Sequence, residues 1–297
     1  MSEKPRVARK TMAEGTASLV LREMKIEGLH VDPEGIATSK GILVKPKPDT
    51  VDGVSGMLVK AGDQFGIMYA TNIPSKGFQR FSIGHELGHY CIDGHADALL
   101  AKGAHYSRAG FVSADPFEQE ADYFAAALLM PERPFRKEMN RHEAGLGCVE
   151  QLCKACETSL TATAIRYANL TRDGVAVIMS AGPAVEWCFM SEGLKKAKGL
   201  SWVRKGTPVP PGTVTAGFNA LPDNVRLGRR DSGEGRLNDW MDGDRVRTIS
   251  EEVVGLGQYG RTLTVLTCGA LSVEPAVEID DEGEDELIAS WTPRFRR

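Results

Sequence analysis

Residues 81–90 read Phe-Ser-Ile-Gly-His-Glu-Leu-Gly-His-Tyr and contain the pattern His-Glu-x-x-His. On an α-helix, residues four positions apart share one face, with Cβ atoms about 5–6 Å apart. The imidazoles of His85 and His89 can therefore bind one Zn²⁺ ion, and Glu86 can reach a water on that ion as a general base. An exposed helix with two unrelated histidines is the alternative. The largely apolar character of the stretch argues against it, because buried polar side chains need partners.

The overall composition is that of a globular protein long enough for two domains. The chain has 297 residues, of which 42% are apolar and 26% are charged. Its net charge of −4 gives no general attraction to nucleic acid or to an anionic membrane. We expect no secretory signal, and the longest apolar run, residues 124–130, is too short to span a bilayer. Six scattered cysteines are expected to be reduced thiols, so the sequence predicts a cytoplasmic protein without a membrane partner.

The part of the chain before residue 94 is predicted to combine helices with a small sheet. Hydrophobic periodicity and turn residues predict helix 9–27, a short helix from Pro33 to about Gly41, strand 42–46, hairpin strands 56–60 and 65–70, and the metal-binding helix from about Gln79. Residues 94–113 show no clear period and are predicted to form a long loop. A further helix begins with Asp115 as N-cap and Pro116 at its first position, and it ends before Pro131.

The third protein ligand of a catalytic zinc ion has two candidates in this sequence. His95 lies six residues after His89, but the pattern with that spacing needs a glycine where this chain has Ile92. Glu118 lies on the next predicted helix, at a separation usual for a glutamate ligand. Glu118 also lies three residues after Asp115, where a glutamate can instead cap the helix.

Further side chains could support the metal site. Asp122 is one turn beyond Glu118 on the same predicted face, and its carboxylate could accept a hydrogen bond from a zinc-bound histidine and fix its tautomer. Glu120 is expected to point away from that face and is not a candidate. A second group is expected to donate a hydrogen bond to the oxyanion that develops during the reaction. The sequence does not decide which residue this is, and the candidates are Tyr90, His95, His105, Tyr106 and Tyr123.

Residues 133–171 are predicted to be helical, and 148–170 resemble a helix-turn-helix by length. From residue 173, short apolar runs between Gly and Pro predict a β-rich domain with strands 175–179, 185–189, 214–218 and 263–267. Residues 228–244 are predicted to form an exposed loop, and 280–286 an acidic tail. The predicted domains are residues 1–140, a helical region 141–172, and 173–297.

Two motifs together resemble the ImmA/IrrE metallopeptidases. They are Phe81-x-x-x-His-Glu-Leu-Gly-His-Tyr and Glu118-x-x-Ala-Asp-x-Phe-Ala-Ala-x-Leu-Leu-Met-Pro131, and the resemblance covers about residues 10–170. It implies that His85, His89 and Glu118 bind one catalytic zinc ion and that Glu86 is the general base. The family often has Asn in place of Asp122, which keeps the hydrogen-bond acceptor without the charge.

The resemblance also implies a fold class and a function. The expected fold is α+β: a mostly helical zincin-like metallopeptidase domain with a small sheet, a helix-turn-helix-like region, and a β-rich C-terminal domain, which in some members is sensory. Several members cleave a repressor of the Xre helix-turn-helix type and so induce a stress, phage or mobile-element response. The expected activity is therefore that of a zinc endopeptidase with a protein substrate of this kind.

Three alternatives have other functional consequences. Residues 148–170 could bind DNA, but the basic residues in and beside them are only Lys154, Arg166 and Arg172, so direct nucleic-acid binding is not expected. Cys153 and Cys156 could hold a structural zinc ion, but a second cysteine pair is lacking. A metal-containing sensor or toxin–antitoxin partner could act by binding, without proteolysis. The oligomeric state is not predicted.

Overall fold

The computed structural model describes residues 7–47, 53–100, 104–107, 115–197, 199–243 and 246–269. These residues form twelve α-helices, one 3₁₀-helix and two β-sheets, which agrees with the predicted mixture of helices and sheets. The described residues within Met1–Phe135 and Cys153–Ser159 form one compact unit, and those within Arg136–Leu152 and Leu160–Trp291 form a second. No helix in the described ranges has both the length and the apolar character that a bilayer crossing requires.

The first unit contains five helices and a four-stranded sheet. Its elements are α1 (Lys10–Glu23), α2 (Pro33–Ser39), β1 (Leu43–Pro46), β2 (Gly56–Ala61), β3 (Gln64–Tyr69), α3 (Lys76–Cys91), α4 (His95–Leu100), β4 (Ala104–Ser107) and α5 (Pro116–Leu129). The strand order is β1-β3-β2-β4, with β1 parallel to β3 and the other neighbours antiparallel. The hairpin predicted from the sequence is therefore confirmed as β2 and β3.

Both helices that carry the predicted site begin at a capping side chain. The Ser75 hydroxyl accepts a hydrogen bond from the backbone N–H of Phe78 at the start of α3. The Asp115 carboxylate accepts one from the N–H of Phe117, and Pro116 occupies the first turn of α5 as predicted. Such caps satisfy backbone donors that have no partner inside the helix, and they fix where each helix begins.

Helices α3 and α5 pack closely because glycine and alanine residues lie at their contact. Gly84 of α3 lies against Ala125 of α5. A Cβ atom added to Gly88 would lie 3.0 Å from the ring of Phe124 and 3.3 Å from the Cα of Ala121. The two backbones therefore approach more closely than larger side chains would permit.

The core of the first unit lies between these helices and the sheet. Five of its apolar side chains are completely or almost completely buried: Leu58 on β2, Ile67 on β3, Leu87 on α3, and Phe124 and Leu128 on α5. Burial of such a side chain stabilises a fold by roughly 1.5–3 kcal/mol. The helix that carries His-Glu-x-x-His is thus fixed to the sheet on one side and to α5 on the other.

The prediction of a long loop over residues 94–113 is wrong in part. Residues 95–100 form α4, and residues 104–107 form β4, which pairs with β2 so that Tyr106 lies opposite Met57. A helix of six residues and a strand of four are too short to produce a clear hydrophobic period. The rest of that predicted loop lies partly outside the described residues.

After α5, three helices precede a second sheet. The elements are α6 (Glu132–Met139), α7 (Leu146–Cys156), α8 (Leu160–Leu170), β5 (Gly174–Ala181), β6 (Ala184–Met190), α9 (Glu192–Lys195), α10 (Val214–Asn219), α11 (Pro222–Arg226), β7 (Arg230–Arg236), α12 (Leu237–Trp240), β8 (Thr248–Gly255), a 3₁₀-helix (Gly257–Tyr259) and β9 (Thr262–Cys268). The sheet is antiparallel with order β6-β5-β9-β8-β7. Helices α7 and α8 are present where the sequence predicts a helix pair. Its helix-turn-helix character and the domain boundaries at 140 and 172 stay predictions.

Two predictions for this part of the chain are wrong. The strand expected at 214–218 is the helix α10, because Thr213 caps it and Glu251 accepts hydrogen bonds from the N–H and hydroxyl of Thr215. These contacts override the β-branched character of Val214 and Thr215. The loop expected over 228–244 contains β7 and α12, and β7 pairs with β8. The predicted acidic tail lies outside the described residues.

We predict that Gly88→Leu destabilises the metal-free protein. The added side chain must enter the contact with Phe124 and Ala121, and overpacking of this kind lowers the free energy of unfolding by about 1–3 kcal/mol. Gly15→Leu is the matched control, because Gly15 is exposed on α1 with no atom within 4 Å of an added Cβ. It should leave stability unchanged or raise it by up to about 1 kcal/mol. Equal effects in urea unfolding would show that the α3–α5 contact can accommodate the side chain.

Candidate metal centre

Helices α3 and α5 bring three predicted ligand side chains together. The Nε2 atoms of His85 and His89 are 3.1 Å apart. Glu118 on α5 lies with Oε2 3.3 Å from His85 Nε2 and Oε1 3.2 Å from His89 Nε2. One ligand atom from each of the three residues lies within 4.8 Å of the other two. The described residues contain no second group of three or more His, Cys, Asp and Glu side chains with such spacing.

The two imidazoles turn Nε2 toward a common point because their Nδ1 atoms already have partners. His85 Nδ1 is 2.8 Å from Oδ1 of Asp122, which has the supporting position predicted from the sequence. His89 Nδ1 is 3.1 Å from Nδ1 of His95. Without a cation, Asp122 and Glu118 favour the protonated form of His85 and raise its pKa. A bound metal ion would require the ring protons on Nδ1 and the lone pairs on Nε2, and two imidazole nitrogens with one carboxylate are a donor set typical of catalytic zinc.

Glu118 is held as a carboxylate by imidazoles. Burial alone would raise the pKa of its carboxyl group. Hydrogen bonds with His105, His85 and His89 outweigh burial, so the pKa of Glu118 lies well below its usual range. The main contacts of its carboxylate are therefore with the imidazoles. They are not with the backbone at the start of α5, which was the alternative role for Glu118.

Glu86 has a different environment from Glu118. The residue is completely buried, and neither carboxylate oxygen makes a hydrogen bond of normal geometry to the described residues, although His85 and the Ser107 hydroxyl are close enough to lower its pKa. Burial raises the pKa of Glu86 to about 7. A Cβ added to Gly56 on β2 would lie only 2.5 Å from Glu86 Oε1, so the carboxylate occupies the space that any other residue at position 56 would fill.

His105 on β4 reaches the same centre. Its Nε2 lies 2.8 Å from Glu118 Oε1, and its ring centroid is 4.7 Å from that of His89. The His105 side chain is 16% exposed, so it stands at the border between the centre and solvent. Of the other four oxyanion-donor candidates, Tyr90 and Tyr123 pack against the apolar core, Tyr106 is 53% exposed, and His95 is buried behind His89.

His95 and Glu120 have contacts that the sequence reasoning missed. His95 is not in the group of three donors; its Nε2 instead lies 2.9 Å from Oε2 of Glu120. Glu120, which the sequence did not mark as a candidate, is completely buried and paired with Arg9. No sequence signal distinguished Glu120, because it lies beside Glu118 and Gln119 in the polar first half of α5.

These features define a class of protein. A His-Glu-x-x-His helix beneath a small mixed sheet, with a glutamate from a second helix completing three donors, is the arrangement of zincin-like metal centres. Residues 37–152 match the family model described as Peptidase M78, IrrE N-terminal-like domain. Over this region the match confirms the resemblance to ImmA/IrrE proteins.

Comparison with other proteins adds a similarity of fold. A solved structure described as a Mycobacterium tuberculosis transcriptional regulator is similar over 88% of this chain and 77% of that chain, with a TM-score of 0.53. The sequence identity is 16%, so this likeness concerns the fold alone. No curated protein sequence matches the chain significantly.

We predict that the purified protein binds one Zn²⁺ ion per chain and that Glu118→Ala weakens this binding. Loss of a direct ligand should raise the dissociation constant by more than the roughly 10–100-fold typical for a residue that only hydrogen-bonds a ligand. Glu132→Ala is the matched control, because Glu132 is an exposed acid in the first turn of the next helix. Titration against a chromophoric chelator measures both constants. Equal affinity in the two variants would exclude Glu118 as a ligand.

Proposed function

We propose that this protein is a zinc-dependent endopeptidase. The observation that carries the proposal is the carboxylate of Glu86, which is buried without a hydrogen bond of normal geometry to the described residues and is adjacent in sequence to a residue of the donor group. A structural role gives no reason to bury such a group, whereas a general base needs it beside the reacting water. The match to a peptidase family over residues 37–152 supports the same reaction class.

The proposed mechanism assigns a task to each side chain. His85, His89 and Glu118 would hold the ion, with the His85 ring oriented by Asp122. A bound zinc ion supplies Lewis acidity and lowers the pKa of a water molecule to about 7. Glu86 accepts a proton from the attacking water and returns it to the nitrogen of the leaving amine, so that the peptide C–N bond breaks with no net change in the enzyme.

His105 is the donor that we propose for the carbonyl oxygen of the substrate. Its side chain is partly exposed, so it can contact a bound molecule once its Nε2, which lies 2.8 Å from Glu118 Oε1 in the metal-free protein, turns from that carboxylate to the substrate. Negative charge develops on that oxygen during attack, and a prepositioned N–H stabilises it. His105 also lies on β4, which is at the end of the sheet order and can pair with an extended peptide by main-chain hydrogen bonds.

The proposed substrate is a repressor of the Xre helix-turn-helix type in the same cell. The resemblance to ImmA/IrrE proteins supports this choice, and cleavage would relieve repression of a stress, phage or mobile-element response. The structural neighbour is described as a transcriptional regulator, which is compatible with a regulatory role. We also propose a cytoplasmic location, where such a repressor is found, and a sensory role for the β-rich C-terminal domain.

Glu86→Gln tests the reaction assigned to the centre. The substitution keeps the size of the side chain and removes its ability to accept a proton, so the cleavage rate should fall by at least about 10²-fold. Zinc affinity should persist, because Glu86 is not in the donor group. Each variant is co-expressed with the repressor encoded beside its gene, and a truncated repressor is sought by mass spectrometry.

Glu34→Gln is the matched control, because Glu34 is exposed on α2. It should cleave as the wild type does. A Glu86→Gln protein that cuts at the wild-type rate would contradict the assigned role. A stable complex with the repressor, with no cleavage by the wild type, would instead favour a protein that acts by binding.

We predict that Gly56→Ala lowers the cleavage rate while zinc binding persists. The new methyl group would lie 2.5 Å from Glu86 Oε1, so the carboxylate must shift, and a displacement of about 1 Å can reduce a rate roughly 10²-fold. Gly66→Ala on β3 is the control, because its Cβ would meet the side chain of Val59, which can rotate. For both variants, the cleavage rate is measured from the rate at which the truncated repressor appears. Wild-type rates for Gly56→Ala would mean that the position of Glu86 is not critical.

A further inference from the structure

A continuous series of hydrogen bonds leads from His89 away from the metal centre. His89 Nδ1 is 3.1 Å from His95 Nδ1, and His95 Nε2 is 2.9 Å from Glu120 Oε2. Glu120 Oε1 accepts from the backbone N–H and Nε of Arg9 at 3.0 and 3.1 Å, and Oε2 accepts from Nη2 at 2.9 Å. The three residues His89, His95 and Glu120 have no exposed surface, whereas Arg9 is half exposed at the start of α1.

The direction of every bond in this series follows from one condition. A neutral imidazole carries one ring proton, so a His89 that presents the Nε2 lone pair to a cation must carry the proton on Nδ1. That proton can only be donated to His95 Nδ1, which must then be an acceptor. His95 therefore carries its own proton on Nε2 and donates it to the carboxylate of Glu120.

The hydrogen bonds of both candidate ligand histidines thus lead to a carboxylate, directly from His85 and through a second imidazole from His89. Asp122 accepts directly from His85, at 2.8 Å. Glu120 accepts from His89 through the intervening ring of His95. Gly94, with φ of +80°, makes the turn that leads from the end of α3 to His95, and a side chain at that position would strain the turn.

We propose that His95 and Glu120 are positioning residues that fix the tautomer of His89 and increase the electron density on its Nε2, so that the protein binds its metal ion more tightly. This inference rests on the proposed function, because it concerns the same zinc ion. A carboxylate that accepts from a ligand histidine raises the basicity of that ligand. Arg9 pairs with the buried carboxylate of Glu120, which needs a partner of opposite charge where solvent does not reach.

The competing explanation is that Glu120 merely attaches the start of α1 to α5. In that case the metal affinity should not depend on the hydrogen-bonding atoms of His95. It should depend only on the presence of a side chain that fills the same space. The two explanations therefore separate in variants of His95 that keep its volume and differ in hydrogen bonding.

The test compares His95→Leu with His95→Gln in the full chain. Leucine removes both hydrogen bonds, so the dissociation constant for Zn²⁺, measured against a chelator, should rise about 10–100-fold. Glutamine keeps an acceptor for His89 and a donor for Glu120, so it should restore most of the affinity. The visible absorption spectrum of the Co²⁺-loaded protein should shift in His95→Leu and return toward the wild type in His95→Gln.

Phe117→Leu is the control for packing. The Phe117 ring lies 4.8 Å from the His95 ring, so the substitution changes the surroundings of His95 and leaves its hydrogen bonds in place. Its affinity for Zn²⁺ should equal that of the wild type. If His95→Leu does not fold, Glu120→Gln replaces it, since loss of the charge should weaken binding by about tenfold.

Three results would contradict the inference. A folded His95→Leu protein, or Glu120→Gln in its place, that binds Zn²⁺ as the wild type does would exclude a role in metal binding. Equal loss of affinity in His95→Gln and His95→Leu would assign the effect to packing. A wild type that binds no Zn²⁺ would overturn the proposed function itself, whereas normal cleavage by the wild type with unchanged affinity in the variants would overturn only this inference.

Discussion

The close contact between α3 and α5 is the constraint on which the rest of the first unit depends. Gly84 and Gly88 contribute no side chain to the contact, so α5 approaches the face that carries His85 and His89. The approach brings the carboxylate of Glu118 within 3.3 Å of both imidazoles. Larger residues at the glycine positions would separate the helices and the donor atoms together. The packing of this helix pair and the placement of the three donor side chains therefore depend on the same residues.

Three glutamates near this contact have distinct environments. Glu118 is surrounded by imidazoles, Glu120 is paired with Arg9 and His95, and Glu86 makes no hydrogen bond of normal geometry to the described residues. A charge without a partner in an apolar site is unfavourable, so its cost is expected where the reaction needs a proton acceptor. The same residue type can thus bind a metal, orient a ligand, or transfer a proton, according to its neighbours.

The sequence predicted the parts of the site that depend on spacing within one helix. The i, i+4 spacing of His85 and His89 placed both on one face, and the separation of Glu118 from them on a second predicted helix made it the better candidate for a third ligand. The role of Glu120 could not be predicted in this way, because its partner comes from α4, a helix too short to show a period. In the β-rich part, long-range contacts of Thr215 converted a β-branched stretch to helix. Interactions between elements distant in sequence account for both errors.

A crystal structure of the zinc-loaded protein, with the ion located by anomalous scattering at the zinc edge, would test the proposed metal centre most directly. We predict one ion bound by Nε2 of His85, Nε2 of His89 and the carboxylate of Glu118, with Zn–N distances of about 2.0–2.1 Å. Glu86 should lie beside the ion without binding it. An ion bound elsewhere, or one whose ligands exclude Glu118, would show that the proposed metal centre is wrong.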